Sequence, residues 1–186
     1  DEKYLNTSLT GLGFDFVDGV PTLAYAGGTD DGQPIAVGLG DLYTAQRSGS
    51  TWSTTERVVG SAEAGGTCLN DNNYCSEGTQ GIVGLFPHLE AGPAPGQFAI
   101  SYRDQHFGFG TEDFRSADLE VWEAGPGAQH LMADGGRSGG NRSSIAFLAD
   151  GRTVVAYTLD LPEDRVSVWV AVEGPGDYER HQVSED

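Results

Sequence analysis

The densest run of reactive side-chain types lies between Tyr102 and Asp113, in Tyr102-Arg103-Asp104-Gln105-His106-Phe107-Gly108-Phe109-Gly110-Thr111-Glu112-Asp113. Arginine binds carboxylates through two parallel hydrogen bonds, histidine exchanges protons near neutral pH, and aromatic rings stack on sugar faces. Arg103, Asp104, His106, Phe107 and Phe109 are therefore candidate ligand-binding residues in a long loop. The competing reading is structural: Phe107-Gly108-Phe109 as a packed plug, and Arg103 with Asp104 as a local ion pair. A second chemistry is Ca²⁺ coordination, which needs six to eight hard oxygen ligands. Asp71, Asn73, Asp104 and Asp113 are the candidate ligands. No segment has EF-hand spacing, so the alternative is an acidic loop surface that keeps the protein dissolved.

Other catalytic signatures are missing. The sequence holds no Gly-x-Ser-x-Gly, His-Glu-x-x-His, Walker loop or Cys-x-x-Cys-His. His88, His106, His130 and His181 are scattered, without the close pairing of a transition-metal site. The sequence leans away from catalysis.

Composition narrows the setting. The 186 residues carry 28 acidic side chains against 10 basic ones, a formal net charge of -18. Such a surface repels phosphate, which excludes a free nucleic-acid partner. No stretch approaches the roughly 18 apolar residues of a membrane span. A hydrophobic fraction of 38% supports a core and argues against disorder. Cys68 and Cys75 bracket a short loop rich in Asn and Asp, which a disulfide closes easily. Free thiols are the main alternative; a zinc site would need further Cys or His in that loop. A disulfide implies a secreted, cell-surface or periplasmic protein. The first residues, Asp1-Glu2-Lys3, contain neither an initiator Met nor an apolar signal, as in a trimmed chain or one whose leader was removed.

The elements that would position these groups are short strands. The 28 glycines and eight prolines punctuate segments rich in Val, Thr, Tyr, Phe and Trp. Strand candidates cover residues 22–25, 42–46, 98–102, 119–122, 153–157 and 166–170. A helix over residues 111–122 is the one competitor, with Thr111 as its cap; the repeats favour a loop followed by a strand. Aligning Tyr25, Tyr102 and Tyr157 brings out three units, over residues 14–25, 88–102 and 145–157, each a strand, a Gly-bearing turn and a strand ending in tyrosine. Asp18-Gly19 and Asp150-Gly151 are hairpin dipeptides. A third strand follows each tyrosine, and a weaker fourth closes each unit at residues 54–59, 129–132 and 179–183. The tyrosines recur as packing residues do, and are read as core.

These observations predict a single all-β unit of antiparallel four-stranded repeats over about 9–60, 80–133 and 141–184, with a disulfide-closed insertion at 66–78. Such repeats match blades of a β-propeller or partial propeller; an irregular β-sandwich is the alternative. Arg47-Ser48-Gly49-Ser50-Thr51-Trp52 keeps the Gly-x-Thr-Trp tail of an Asp-box in altered form, without its Asp. In this and in its repeat pattern the chain resembles bacterial secreted propellers of the sialidase-like, BNR-repeat kind. A sialidase would need an arginine triad, a nucleophilic Tyr with a Glu, and an acid Asp. Arg47, Arg103 and Arg142 are present, but their settings identify no triad.

Propellers close with four to eight blades, and three leave open sheet edges. The chain is therefore expected to be a fragment, to self-associate, or to need a partner chain that completes the propeller. The expected function is extracellular binding or assembly, directed at a glycan, a protein or its own copies. The alternatives are a glycoside hydrolase fragment or subunit and a Ca²⁺-stabilised structural or filament subunit.

Overall fold

In a computed structural model of the chain, the described residues are 11–27, 41–53, 56–59, 80–107, 117–126, 128–134, 139–160 and 165–185. Among them every regular element is a strand. The first sheet contains β1 (Gly13–Val17), β2 (Val20–Gly27), β3 (Asp41–Ser48), β4 (Thr51–Trp52) and β5 (Glu56–Val59). The second contains β6 (Gln80–Ala91), β7 (Phe98–Phe107), β8 (Ala117–Ala124) and β9 (His130–Asp134). The third contains β10 (Gly139–Phe147), β11 (Thr153–Asp160), β12 (Val166–Glu173) and β13 (Tyr178–Glu185). The second and third are four-stranded meanders in chain order; in the first, β4 and β5 both pair with β3. All pairings are antiparallel. The architecture is all-β and blade-like, as the repeats predict.

Local sequence explains the connections. Asp18 and Gly19 both adopt positive φ, 51° and 76°, so β1 and β2 meet in a primed two-residue turn. The segment Arg47–Trp52 is itself a hairpin, with Arg47 opposite Trp52 and Ser48 opposite Thr51. The Thr51 hydroxyl donates to the Ser48 carbonyl at 3.1 Å.

The sheets stack face to face in chain order. Strand β6 packs against β1, β2 and β3 of the first sheet, and β10 packs against β6, β7 and β8 of the second. Two apolar cores fill the two junctions. Val17, Ala24, Leu42, Val83, Leu89, Ile100 and Tyr102 form the first. Ala99, Leu119, Val121, Ile145, Val155, Tyr157 and Ala171 form the second. Full burial of each large aliphatic side chain among them contributes about 1.5–3 kcal/mol.

Strand alternation assigns the faces. On β7, Ile100 and Tyr102 turn to the first sheet, whereas Ala99 turns to the third; all three are fully buried. The middle sheet is thus covered on both faces. The outer sheets are covered on one. In β2, Thr22, Ala24 and Ala26 are buried while Leu23 and Tyr25 between them are half-buried. In β11 the order inverts: Thr153, Val155, Tyr157 and Leu159 are buried, and Ala156 is exposed.

Two expectations change in detail and one is met. Residues 103–107 extend β7 and are not loop: Arg103 and Gln105 pair with both β6 and β8, Asp104 with β8, and His106 and Phe107 with β6. Residues 119–122 are strand, as the repeats favour over a helix, within β8 (Ala117–Ala124). The first strand of the second unit begins at Gln80, ahead of the expected start at His88. Its register shifts twice, between Ile82 and Leu85 and between Leu85 and His88, and Phe86 sits at a φ of 51°. Those bulges break the period-two pattern by which a strand is recognised.

Candidate functional site

The candidate ligand-binding residues separate on folding. Arg103 and Asp104 are buried neighbours in β7, so their side chains point to opposite faces of the middle sheet. The alternation that buries them prevents a shared binding surface. His106 and Phe107 take the last positions of β7, opposite Gly81 and Gln80. Phe109 lies outside the described residues, as do Cys68 and Cys75 and the candidate Ca²⁺ ligands Asp71, Asn73 and Asp113. The fourth candidate ligand, Asp104, stands directly opposite Asp118 across β7 and β8, and both are buried. Among the described residues, no group of three or more His, Cys, Asp or Glu is arranged to hold a metal ion.

The structure gathers polar groups at the junctions between sheets. At the first junction, the Ala91 amide donates to the Asp15 carboxylate at 2.8 Å and the Gly96 amide to that of Asp18 at 2.6 Å. The turn of the first sheet thereby holds the turn of the second. The Tyr102 hydroxyl donates to Glu120 Oε2 at 2.6 Å. His130 Nε2 lies 2.9 Å from the same carboxylate oxygen, and the His130 ring stacks on that of Tyr102. Burial first, and then the Glu120 charge, hold the Tyr102 pKa well above its ordinary value. Tyr102 therefore remains a donor.

At the second junction, the Ile145 amide donates to His88 Nδ1 at 3.0 Å, and the hydroxyls of Ser101 and Ser143 meet at 3.0 Å. Asp134 receives the Tyr157 hydroxyl at 2.8 Å and the Arg180 guanidinium at 2.9 Å. Glu123 and Glu173 converge on one hydroxyl. Thr153 Oγ1 lies 2.9 Å from Glu123 Oε1 and 3.2 Å from Glu173 Oε2. The Gln129 amide also reaches both carboxylates. Burial, reinforced by the Glu173 charge, raises the Glu123 pKa against the opposing hydrogen bonds from Thr153 and Gln129. These contacts join β8, β11 and β12 across the junction and leave the carboxyl pair engaged with its own chain.

The other concentrated feature is apolar. On the outer face of the first sheet, Phe14 and Phe16 are 49% and 54% exposed, and their rings meet edge to face. Leu23, opposite Phe14, shares this face, as do the stacked rings of Tyr25 and Tyr43. On the outer face of the third sheet, Val166 and Val168 are exposed and Val154, Val170 and Val172 half-buried. Each valine is visible in the sequence. Their common orientation requires the register of β11 on β12.

No protein-family model matches the chain, and no curated protein matches it.

Proposed function

We propose that this protein is a non-catalytic binding and assembly module of an extracellular or cell-surface setting, built as a partial propeller of the sialidase-like, BNR-repeat kind. Its partners engage the two outer sheet faces. One observation carries the reading: the middle sheet is buried on both faces, whereas each outer sheet keeps one apolar face in solvent. Contiguous exposed apolar surface marks interaction sites. The three blade-like sheets and the hairpin at Arg47–Trp52 support the propeller assignment.

The test is sedimentation of the 186-residue chain beside variants that place a charge on either outer face, Phe16→Glu or Val168→Lys. The expected result is an associated wild-type species that each folded variant loses. A wild-type chain that stays monomeric, or an association indifferent to both charges, contradicts the proposal. Turnover of a glycoside by the purified chain would contradict its non-catalytic part.

A further inference from the structure

We infer that the outer face of the third sheet docks onto the outer face of the first sheet of a second copy, head to tail, so that two chains close one ring of six sheets. The inference rests on the assembly reading above and names its partner and its direction.

Aligned on Tyr25, Tyr102 and Tyr157, the sheets share a two-sided pattern. One face carries the tyrosine, an aliphatic residue two positions before it, and a large apolar residue opposite that aliphatic residue on the first strand. The pairs are Leu23 with Phe14, Ile100 with Leu89, and Val155 with Ile145. In the second sheet this face receives the first sheet, and Leu89 is 1% exposed. In the third sheet it receives the second, and Ile145 is 2% exposed. In the first sheet the same position is Phe14, half in solvent.

The opposite face carries a small residue just before each tyrosine: Ala24, Ser101 and Ala156. Ala24 and Ser101 are fully buried where their sheets pack onto the next one. Ala156 is exposed, flanked on β12 by Val168, Val170 and Val172.

The fold therefore contains the same directional contact twice, with a small-residue and aliphatic face on one side and a tyrosine-bearing face on the other. It also holds one unmatched half of each kind. Another copy of this chain carries a surface that completes both halves. Contacts that run third-to-first and third-to-first between two copies satisfy both faces and obey two-fold symmetry. Six sheets fall within the four to eight that close a propeller.

The test is a complementation experiment on the full chain. Phe16→Glu damages only the first-sheet face, and Val168→Lys damages only the third-sheet face. Each variant alone should sediment at the single-chain mass, with the circular dichroism and unfolding midpoint of a folded protein. Phe16→Ser and Val168→Ser serve the same purpose should a charged variant fail to fold. An equimolar mixture of the two variants should recover a two-chain species. Its intact interface pairs the third sheet of the first variant with the first sheet of the second. Its other interface brings Glu to Lys.

A first-on-first contact predicts instead that Val168→Lys still dimerises alone, and a third-on-third contact that Phe16→Glu does, so in either case mixing adds no two-chain species that a single variant lacks. Association abolished by the single variants but not recovered on mixing would overturn the head-to-tail inference and leave the docking faces standing. A monomeric wild-type chain would overturn both.

Discussion

At the second junction two carboxylates crowd one hydroxyl, and one proton relieves them. Thr153 offers one hydroxyl hydrogen to two carboxylates, those of Glu123 and Glu173. Burial, aided by the Glu173 charge, raises the Glu123 pKa, so the folded chain binds this proton more tightly than the unfolded one. The contribution of Glu123 to stability is therefore fully present below its unfolded value near 4.5. It is lost as pH rises through the higher folded value. At about pH 7 the charged pair opposes folding, and Glu123→Gln should raise the unfolding midpoint. The same substitution should flatten the pH dependence above the unfolded value; a midpoint that falls equally at every pH would contradict this account. Tyr102 behaves differently. Its hydroxyl satisfies a buried carboxylate at 2.6 Å, so Tyr102→Phe should cost about 1–3 kcal/mol in denaturant unfolding. An unchanged midpoint would show that His130 alone satisfies Glu120.

Strand β6 is the element on which the stack depends, since it touches the first sheet on one side and β10 on the other. Its approach to β3 requires a glycine. A Cβ on Gly84 would lie 2.8 Å from Leu42 Cδ1 and 3.1 Å from Leu42 Cα, and Gly84 adopts a φ of +86°. Gly84→Ala should cost about 1–3 kcal/mol more than Gly19→Ala, because overpacking adds to the backbone strain that both share. Gly19 has a φ of +76° with open space around it, so equal losses would show that the contact with Leu42 is not what matters. This strand was also the hardest to read. Gly84, Pro87 and two register shifts erase its alternation, whereas Thr153 to Tyr157 and Val166 to Val170 lie within β11 and β12 where expected. The tyrosine alignment was legible because Tyr102 and Tyr157 fill equivalent core positions. The candidate site was less legible. Arg103 and Asp104 read as loop chemistry because polar residues seldom occupy a buried strand, and only the pairing of β7 with its neighbours draws them into it. The docking faces escaped a linear reading for a related reason. Phe14, Phe16, Val154 and Val168 are ordinary strand residues until the stacking decides which face each one shows.

At the scale of the whole molecule, a net charge of -18 per chain sets the conditions under which copies can meet. Two such chains repel in dilute salt, and screening shortens that repulsion to within about 10 Å at roughly 0.1 M ionic strength. Association through the apolar outer faces should therefore strengthen as salt rises. An assembly held by ion pairs would weaken over the same range. The apolar faces also set a directional requirement, because the exposed Phe14 position has its buried counterparts in Leu89 and Ile145. The decisive measurement is the native mass of the unmodified chain by sedimentation equilibrium, over micromolar concentrations and at moderate salt. The account predicts a species of twice the 19.6 kDa chain mass. A single-chain mass at every concentration, with the fold intact, would contradict it.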